Sequence, residues 1–128
     1  MISKEYLINL NKEKDKHILD RLIDASPNIR HVLDEIKSEI EKFILYNRFD
    51  NYFSYTIKFD VLNSIYDVAG MNNEECCAYI NNRYNHGNKY EKMWTFILEN
   101  YLEDIKFELT YEMNDYMLVV IDINQFIE

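Results

Sequence analysis

The sequence predicts an α+β fold in which a small antiparallel sheet packs against four or five helices. Two patterns carry this prediction. Over long stretches apolar residues recur every three or four positions, as they do on one face of a helix. In other stretches they alternate with polar residues, at the period of two that is typical of a half-buried strand. Because the chain has 128 residues, of which 48% are hydrophobic, we expect a single domain, 1–128, with one core.

The last quarter of the chain predicts most of the sheet. Residues 105–112 alternate between apolar and polar side chains. Asn114 and Asp115 favour a turn, and residues 116–123 return as an almost wholly apolar strand. Such a strand needs cover on both faces, so we expect it at the centre of the sheet. Residues 53–59 show the same alternation and are predicted to pair with its other side.

Helices are predicted before and after the strand at 53–59. Ser3 is a suitable N-cap for the first, which is either one long helix or two pieces, because the charged run 12–17 interrupts its apolar stripe. Ser26 and Pro27 mark the start of the next helix, with a capping hydroxyl followed by proline at the first helical position. The remaining predicted helices cover residues 61–69, 73–83 and 89–102.

Acidic residues are concentrated in the second part of the chain. Residues 1–48 carry nine Lys or Arg against nine Asp or Glu, whereas residues 49–128 carry five against fourteen. The formal net charge of −9 therefore belongs to the second part. From Glu99 to the end, eight carboxylates face a single basic residue, Lys106. Such a field repels nucleic acid and attracts basic protein surfaces.

No motif in the sequence specifies a reaction. Glycine occurs only at positions 70 and 87, which excludes a phosphate-binding loop or a dinucleotide fingerprint. The histidines belong to no recognisable Ser/His/Asp or Cys/His arrangement. Cys76 and Cys77 are adjacent, and together with His86 they do not offer the paired ligand spacing of a structural zinc site. We therefore expect no catalytic residues, no metal and no cofactor.

Composition also predicts the compartment. Two neighbouring cysteines cannot form a disulfide framework, and we expect no signal peptide, because residues 1–10 lack the apolar run that one requires. No stretch reaches the roughly eighteen apolar residues of a membrane span. We predict a cytoplasmic protein. Frequent Asn, Ile, Lys and Tyr with scarce Gly and Pro are typical of AT-rich coding sequence, as in low-GC bacteria, phages and other mobile elements.

Carboxylates around the predicted hairpin are the candidate binding residues. Rows of carboxylates on a rigid sheet can occupy a groove built for a phosphate backbone, which is the physical basis of nucleic-acid mimicry. In size and charge the chain resembles phage anti-restriction and anti-CRISPR proteins and some immunity proteins. We predict a non-catalytic inhibitor that covers the basic surface of a nucleic-acid-handling protein, such as a nuclease, and binds neither nucleic acid nor membrane. The predicted contact residues are Glu99, Glu103, Asp104, Glu108, Glu112 and Asp115.

Two alternatives stay open. The predicted helices 61–69 and 73–83 have the outline of a helix-turn-helix, and with the flanking strand and hairpin they loosely resemble a DNA-binding winged helix. Against this, the second helix opens with Glu74 and Glu75, and the wing carries glutamates where phosphate contacts need lysines. The other alternative is a homodimer or larger homo-oligomer that assembles through a tyrosine-rich apolar surface.

Overall fold

The computed structural model describes residues 2–46, 51–58, 74–112 and 116–126. Within them it confirms the predicted α+β class. The predicted helix at 61–69 lies outside the described residues. The elements are α1 (Lys4–Ala25), α2 (Pro27–Tyr46), β1 (Tyr52–Lys58), α3 (Glu74–Arg83), α4 (Lys89–Tyr101), β2 (Phe107–Glu112), β3 (Tyr116–Asp122) and a short 3-10 helix (Ile123–Phe126).

The three described strands form an antiparallel sheet in the order β1–β3–β2. The apolar last strand is therefore central, as its sequence predicts. Val119 marks the register, because it lies opposite Tyr55 of β1 on one side and opposite Leu109 of β2 on the other. Both predicted pairings of this strand are confirmed, and β1 and β2 are the two edges.

The two faces of β3 differ in burial. Met117, Val119 and Ile121 are fully buried against the helices. Leu118 and Val120, which point the other way, are only half-buried. Within the part of the chain that the structure describes, the expected cover is therefore complete on one face of β3 and partial on the other.

Helix α4 supplies the centre of the core. Its buried residues extend beyond the single stripe expected of an amphipathic helix, because Phe96 is as fully buried as Trp94 and Ile97. Helix α2, which packs against α1 and β1, adds the apolar stripe that the sequence predicts, consisting of Ile29, Val32, Leu33, Ile36 and Ile40. None of the described helices combines the length and the apolar character needed to cross a membrane.

Helix α1 is one continuous helix. The Ser3 side chain caps it by accepting a hydrogen bond from the backbone N–H of Tyr6 at 3.1 Å. The charged run 12–17 stays helical and directs one of its members, Asp15, into the core beside Ile18. The long-helix interpretation of this segment is therefore the correct one, and its middle is not wholly solvated.

Candidate protein-binding surface

The structure describes four of the six predicted contact side chains, those of Glu99, Glu103, Asp104 and Glu108, and all four are exposed. Glu112 is the last residue of β2, but its side chain lies outside the description. Asp115 lies outside the described residues. The sequence thus predicts correctly that these four side chains are exposed, and their arrangement decides what they can bind.

Three of these carboxylates lie together where α4 passes into β2. Glu99, Glu103 and Asp104, which we call the acidic group, line one groove of about 420 Å³. Lys12, Glu13 and Lys16 of α1 line the same groove. Among the described residues, however, no ion pair joins these lysines to the acidic group. The three carboxylates are exposed and form no ion pair with these lysines, which leaves their charge open to a cationic ligand.

Glu99 is held in place by a neighbouring tyrosine. The Tyr84 hydroxyl donates a hydrogen bond to Oε2 of Glu99 at 2.7 Å. Burial, followed by this hydrogen bond, raises the pKa of Tyr84 above its usual value. The tyrosine therefore remains a donor at neutral pH, and it orients a carboxylate that would otherwise rotate freely.

Asp104 has an unusual backbone conformation. Its φ of 62° lies in the left-handed region, which Asp and Asn adopt more readily than other non-glycine residues. The turn around it is closed by a hydrogen bond from the Ile105 N–H to the Leu102 carbonyl at 3.2 Å. Asn is consequently the replacement that removes the charge at position 104 with the least strain on the turn.

Glu108 lies apart from the acidic group. It points to the less covered face of the sheet, opposite Val120 of β3. A depression of about 600 Å³ on this side is lined by Tyr52, Lys106, Phe107, Glu108, Val120 and Asp122. The described carboxylates therefore occupy both sides of β2, and do not lie in one continuous row.

One carboxylate that sequence reasoning did not single out is buried. Asp15 is only 4% exposed. Its Oδ1 accepts a hydrogen bond from the Tyr79 hydroxyl at 2.6 Å, and Nη1 of Arg83 lies 2.6 Å from both of its oxygens. The available signal was its position, because Asp15 shares a helix face with Ile18 and Leu22. Because both of its oxygens contact side chains of α3, Asp15 links α1 to α3.

The cysteines and histidines do not form a metal site among the described residues, where no three His, Cys, Asp or Glu side chains are placed to hold an ion. Cys76 and Cys77 are both buried, and neither is in a disulfide. Burial, and then the neighbouring Cys76, raises the pKa of Cys77. This keeps the Cys77 thiol protonated, the form that is a poor nucleophile.

The structure describes only part of the predicted helix-turn-helix, because 61–69 lies outside the described residues. Its second helix corresponds to α3, and its wing to the β2–β3 hairpin, which exposes Glu108. No protein-family model matches the chain, and neither does any curated protein or solved structure. The surface itself is therefore the basis for inferring a function.

Proposed function

We propose that the protein is a small non-catalytic binding module that covers a basic surface of a protein partner, in the manner of an inhibitor of a nucleic-acid-handling enzyme. The acidic group is the observation that carries the proposal. It places three exposed carboxylates in one groove without an internal ion pair. Lysine or arginine side chains of a partner would complete the electrostatic balance that Lys12 and Lys16 of the same groove supply only in part.

The way in which the acidic group is held favours binding. Tyr84 orients Glu99, and the left-handed turn fixes the backbone of Asp104. Pre-oriented groups lose less conformational entropy on association than mobile ones do. The net charge of −9 adds a long-range attraction for basic surfaces, which salt screens over about 10 Å at 0.1 M.

Affinity capture from the source cell tests this proposal. The bait is the full chain, and the test variant carries Glu99→Gln, Glu103→Gln and Asp104→Asn. These changes remove three charges while they preserve the acceptor for Tyr84 and the turn at position 104. A matched control, Glu5→Gln with Asp20→Asn and Asp24→Asn, removes three exposed charges from α1 and has the same net charge.

We expect the unmodified chain and the control to capture a basic protein that elutes as salt rises towards about 1 M, and the test variant to lose it. With the partner purified, the loss should lie mainly in the association rate and should shrink as salt rises. If both variants bind as well as the unmodified chain, the acidic group is not the contact surface. If both lose binding equally, net charge alone is responsible.

Nucleic acid should not bind. A chain whose second part carries the whole net charge of −9 repels the phosphate backbone. We expect no band shift of duplex DNA at micromolar protein in about 0.1 M salt, where basic non-specific binders give one. A sequence-dependent shift would instead favour the winged-helix hypothesis.

Self-association is a second candidate, because the start of α1 is apolar and exposed. Tyr6, Leu7 and Leu10 are 56%, 48% and 43% exposed, and they lie at the spacing of one helix face. Helix α1 carries five basic and five acidic residues, so two copies could meet here without net repulsion. Sedimentation equilibrium tests this: a dimer should revert to monomer when Leu7 and Leu10 are replaced by Glu, and a monomer at all concentrations excludes it.

A further inference from the structure

No described strand pairs with the outer edge of β2. The hydrogen bonds of the Gln125 side chain show which backbone groups of β2 face this outer edge. Gln125 accepts a hydrogen bond from the Lys106 N–H and donates one to the Lys106 carbonyl, both at 2.8 Å. It also donates to the Asp122 carbonyl at the end of β3. The peptide groups of Lys106 therefore face the β3 side of the strand.

Hydrogen-bonding direction alternates along an antiparallel ladder. Since Lys106 faces β3, Glu108 and Thr110 also bond to β3. Phe107 and Leu109 then direct their N–H and C=O groups away from the sheet. The opposite side of β3 fits the same alternation, because the Ile123 N–H donates to the Asn51 carbonyl at 2.8 Å. The edge thus offers a row of backbone donors and acceptors of the kind that captures an added strand.

A shallow groove of about 440 Å³ runs beside this edge. It is formed by Thr95 and Glu99 of α4 together with Ile105, Lys106, Phe107 and Leu109. Phe107 and Leu109 are only half-buried there. Because side chains of a strand alternate between faces, an added strand would place every second side chain in this groove. Apolar side chains at those positions would complete the burial of Phe107 and Leu109.

Charge selects the remaining side chains of the added strand. Glu99 lines both this groove and the adjoining groove of the acidic group. Glu108 is exposed on the other side of β2. With apolar side chains in the groove, the intervening basic side chains would point to the other side of β2, where Glu108 is exposed, and Glu99 would add long-range attraction from the groove side. A second copy of this chain is a poorer occupant, because each copy brings a net charge of −9 and the same acidic edge.

We propose that the partner supplies an extended basic segment, with apolar and Lys or Arg residues in alternation, that joins the sheet as a fourth strand along the outer edge of β2. This inference rests on the proposed function and adds the conformation of the partner to it. Main-chain hydrogen bonds would give affinity, and the groove and the carboxylates would give specificity.

Amide hydrogen exchange by NMR on the full chain tests the inference. The probe is a peptide of about eight residues that alternates lysine and valine, long enough to span β2. In the free protein, the Glu108 and Thr110 amides should exchange slowly and those of Phe107 and Leu109 rapidly. On addition of the peptide, exchange at Phe107 and Leu109 should slow by roughly tenfold or more.

Two N-methylated versions of the peptide are matched controls, one methylated at every valine and the other at every lysine. Only every second amide of an added strand faces β2, so one version should lose binding and the other should retain it. The charge argument predicts that a glutamate–valine peptide does not bind. It also predicts that the variant Glu99→Gln, Glu103→Gln, Asp104→Asn weakens binding by about tenfold at low salt.

The possible results separate this inference from the proposed function. Binding of the lysine–valine peptide with unchanged exchange at Phe107 and Leu109, or equal binding of both methylated versions, overturns strand addition but leaves an acidic binding surface. No binding of that peptide at millimolar concentration also overturns it, whatever the capture experiment gives. The Phe107 and Leu109 amides of the free protein could instead become more protected as the protein concentration rises. That result would assign the edge to a second copy and would also overturn strand addition by a partner.

Discussion

Asp15 and the acidic group are carboxylates of the same fold in opposite settings. Asp15 is 4% exposed, and Arg83 and Tyr79 occupy both of its oxygens. The acidic group is exposed and has no internal ion pair among the described residues. A buried pair is costly to break, whereas exposed charges contribute little to stability. The first carboxylate therefore serves the fold, and the other three are free to serve recognition.

Tyrosine hydroxyls appear in both settings. Tyr79 donates to Asp15, and Tyr84 donates to Glu99. A third such pair joins Tyr55 of β1 to Glu35 of α2. In each case burial is the main reason that the pKa of the tyrosine is raised, and the carboxylate adds to it. Part of the high tyrosine content is thus used to orient carboxylates.

The largest expected effect is at the buried pair. Replacing Arg83 with Met leaves the Asp15 carboxylate buried with Tyr79 as its only described partner, which should cost about 3–5 kcal/mol in the free energy of unfolding. Replacing Asp15 with Asn should cost less, about 1–2 kcal/mol, because the Arg83 side chain is 37% exposed and keeps part of its hydration. Urea unfolding followed by the fluorescence of buried Trp94 measures both.

The double variant Asp15→Asn, Arg83→Met is the control for this asymmetry. It should cost less than the two single changes together, because neither charge is then left alone. Equal losses for the two single variants, or strict additivity, would mean that the pair is weaker than its geometry indicates.

An intermediate effect on the stability of the fold is expected from Tyr55 at alkaline pH. Burial and the hydrogen bond to Glu35 raise the pKa of Tyr55 to about 12, from a usual value near 10. The folded state thus keeps a proton that the unfolded chain releases first. The stabilisation from Tyr55 is complete below about pH 10 and is lost as the pH rises towards 12. Urea midpoints across this range should fall, and the fall should be shallower in Tyr55→Phe.

The smallest effect on stability is expected for the acidic group. The variant Glu99→Gln, Glu103→Gln, Asp104→Asn should change the free energy of unfolding by only a few tenths of a kcal/mol per residue. The variant also removes repulsion between like charges, which offsets part of this small loss of stability. The matched α1 control should behave in the same way. A loss of more than about 2 kcal/mol in the first variant alone would show that the acidic group holds the fold.

The sheet was predictable because its signal is local. Alternation in 105–112 and the apolar run at 116–123 determine which side chains face inward, and the central position of the last strand follows from its two apolar faces. The N-terminal capping of α4 could also have been predicted from the sequence, but it was not. Asn88 Oδ1 accepts from the Glu91 N–H at 2.9 Å, and a Glu91 side-chain oxygen accepts in return from the Asn88 N–H.

The sites were less predictable because their signals are long-range. Asp15 and Arg83 are separated by 68 positions, and nothing in the sequence around either residue predicts the other as its partner. The grouping of Glu99 with Glu103 and Asp104, and their separation from Glu108, depend on how α4 enters β2 and on which side of the strand a residue falls. Composition locates the negative charge in the second part of the chain, but only packing divides it into distinct surfaces.

Gln125 gives the hairpin a sensitivity to chemical ageing. Its amide mimics a peptide group, because it offers a donor and an acceptor to the Lys106 backbone and a second donor to Asp122. Deamidation to glutamate would turn a negative oxygen towards those two carbonyls and release the end of β2. A Gln125→Glu variant should therefore show faster amide exchange at Lys106, and unchanged exchange there would contradict this role. The hydrolysis of one side chain would loosen the start of β2, the strand along which we propose that a partner segment adds.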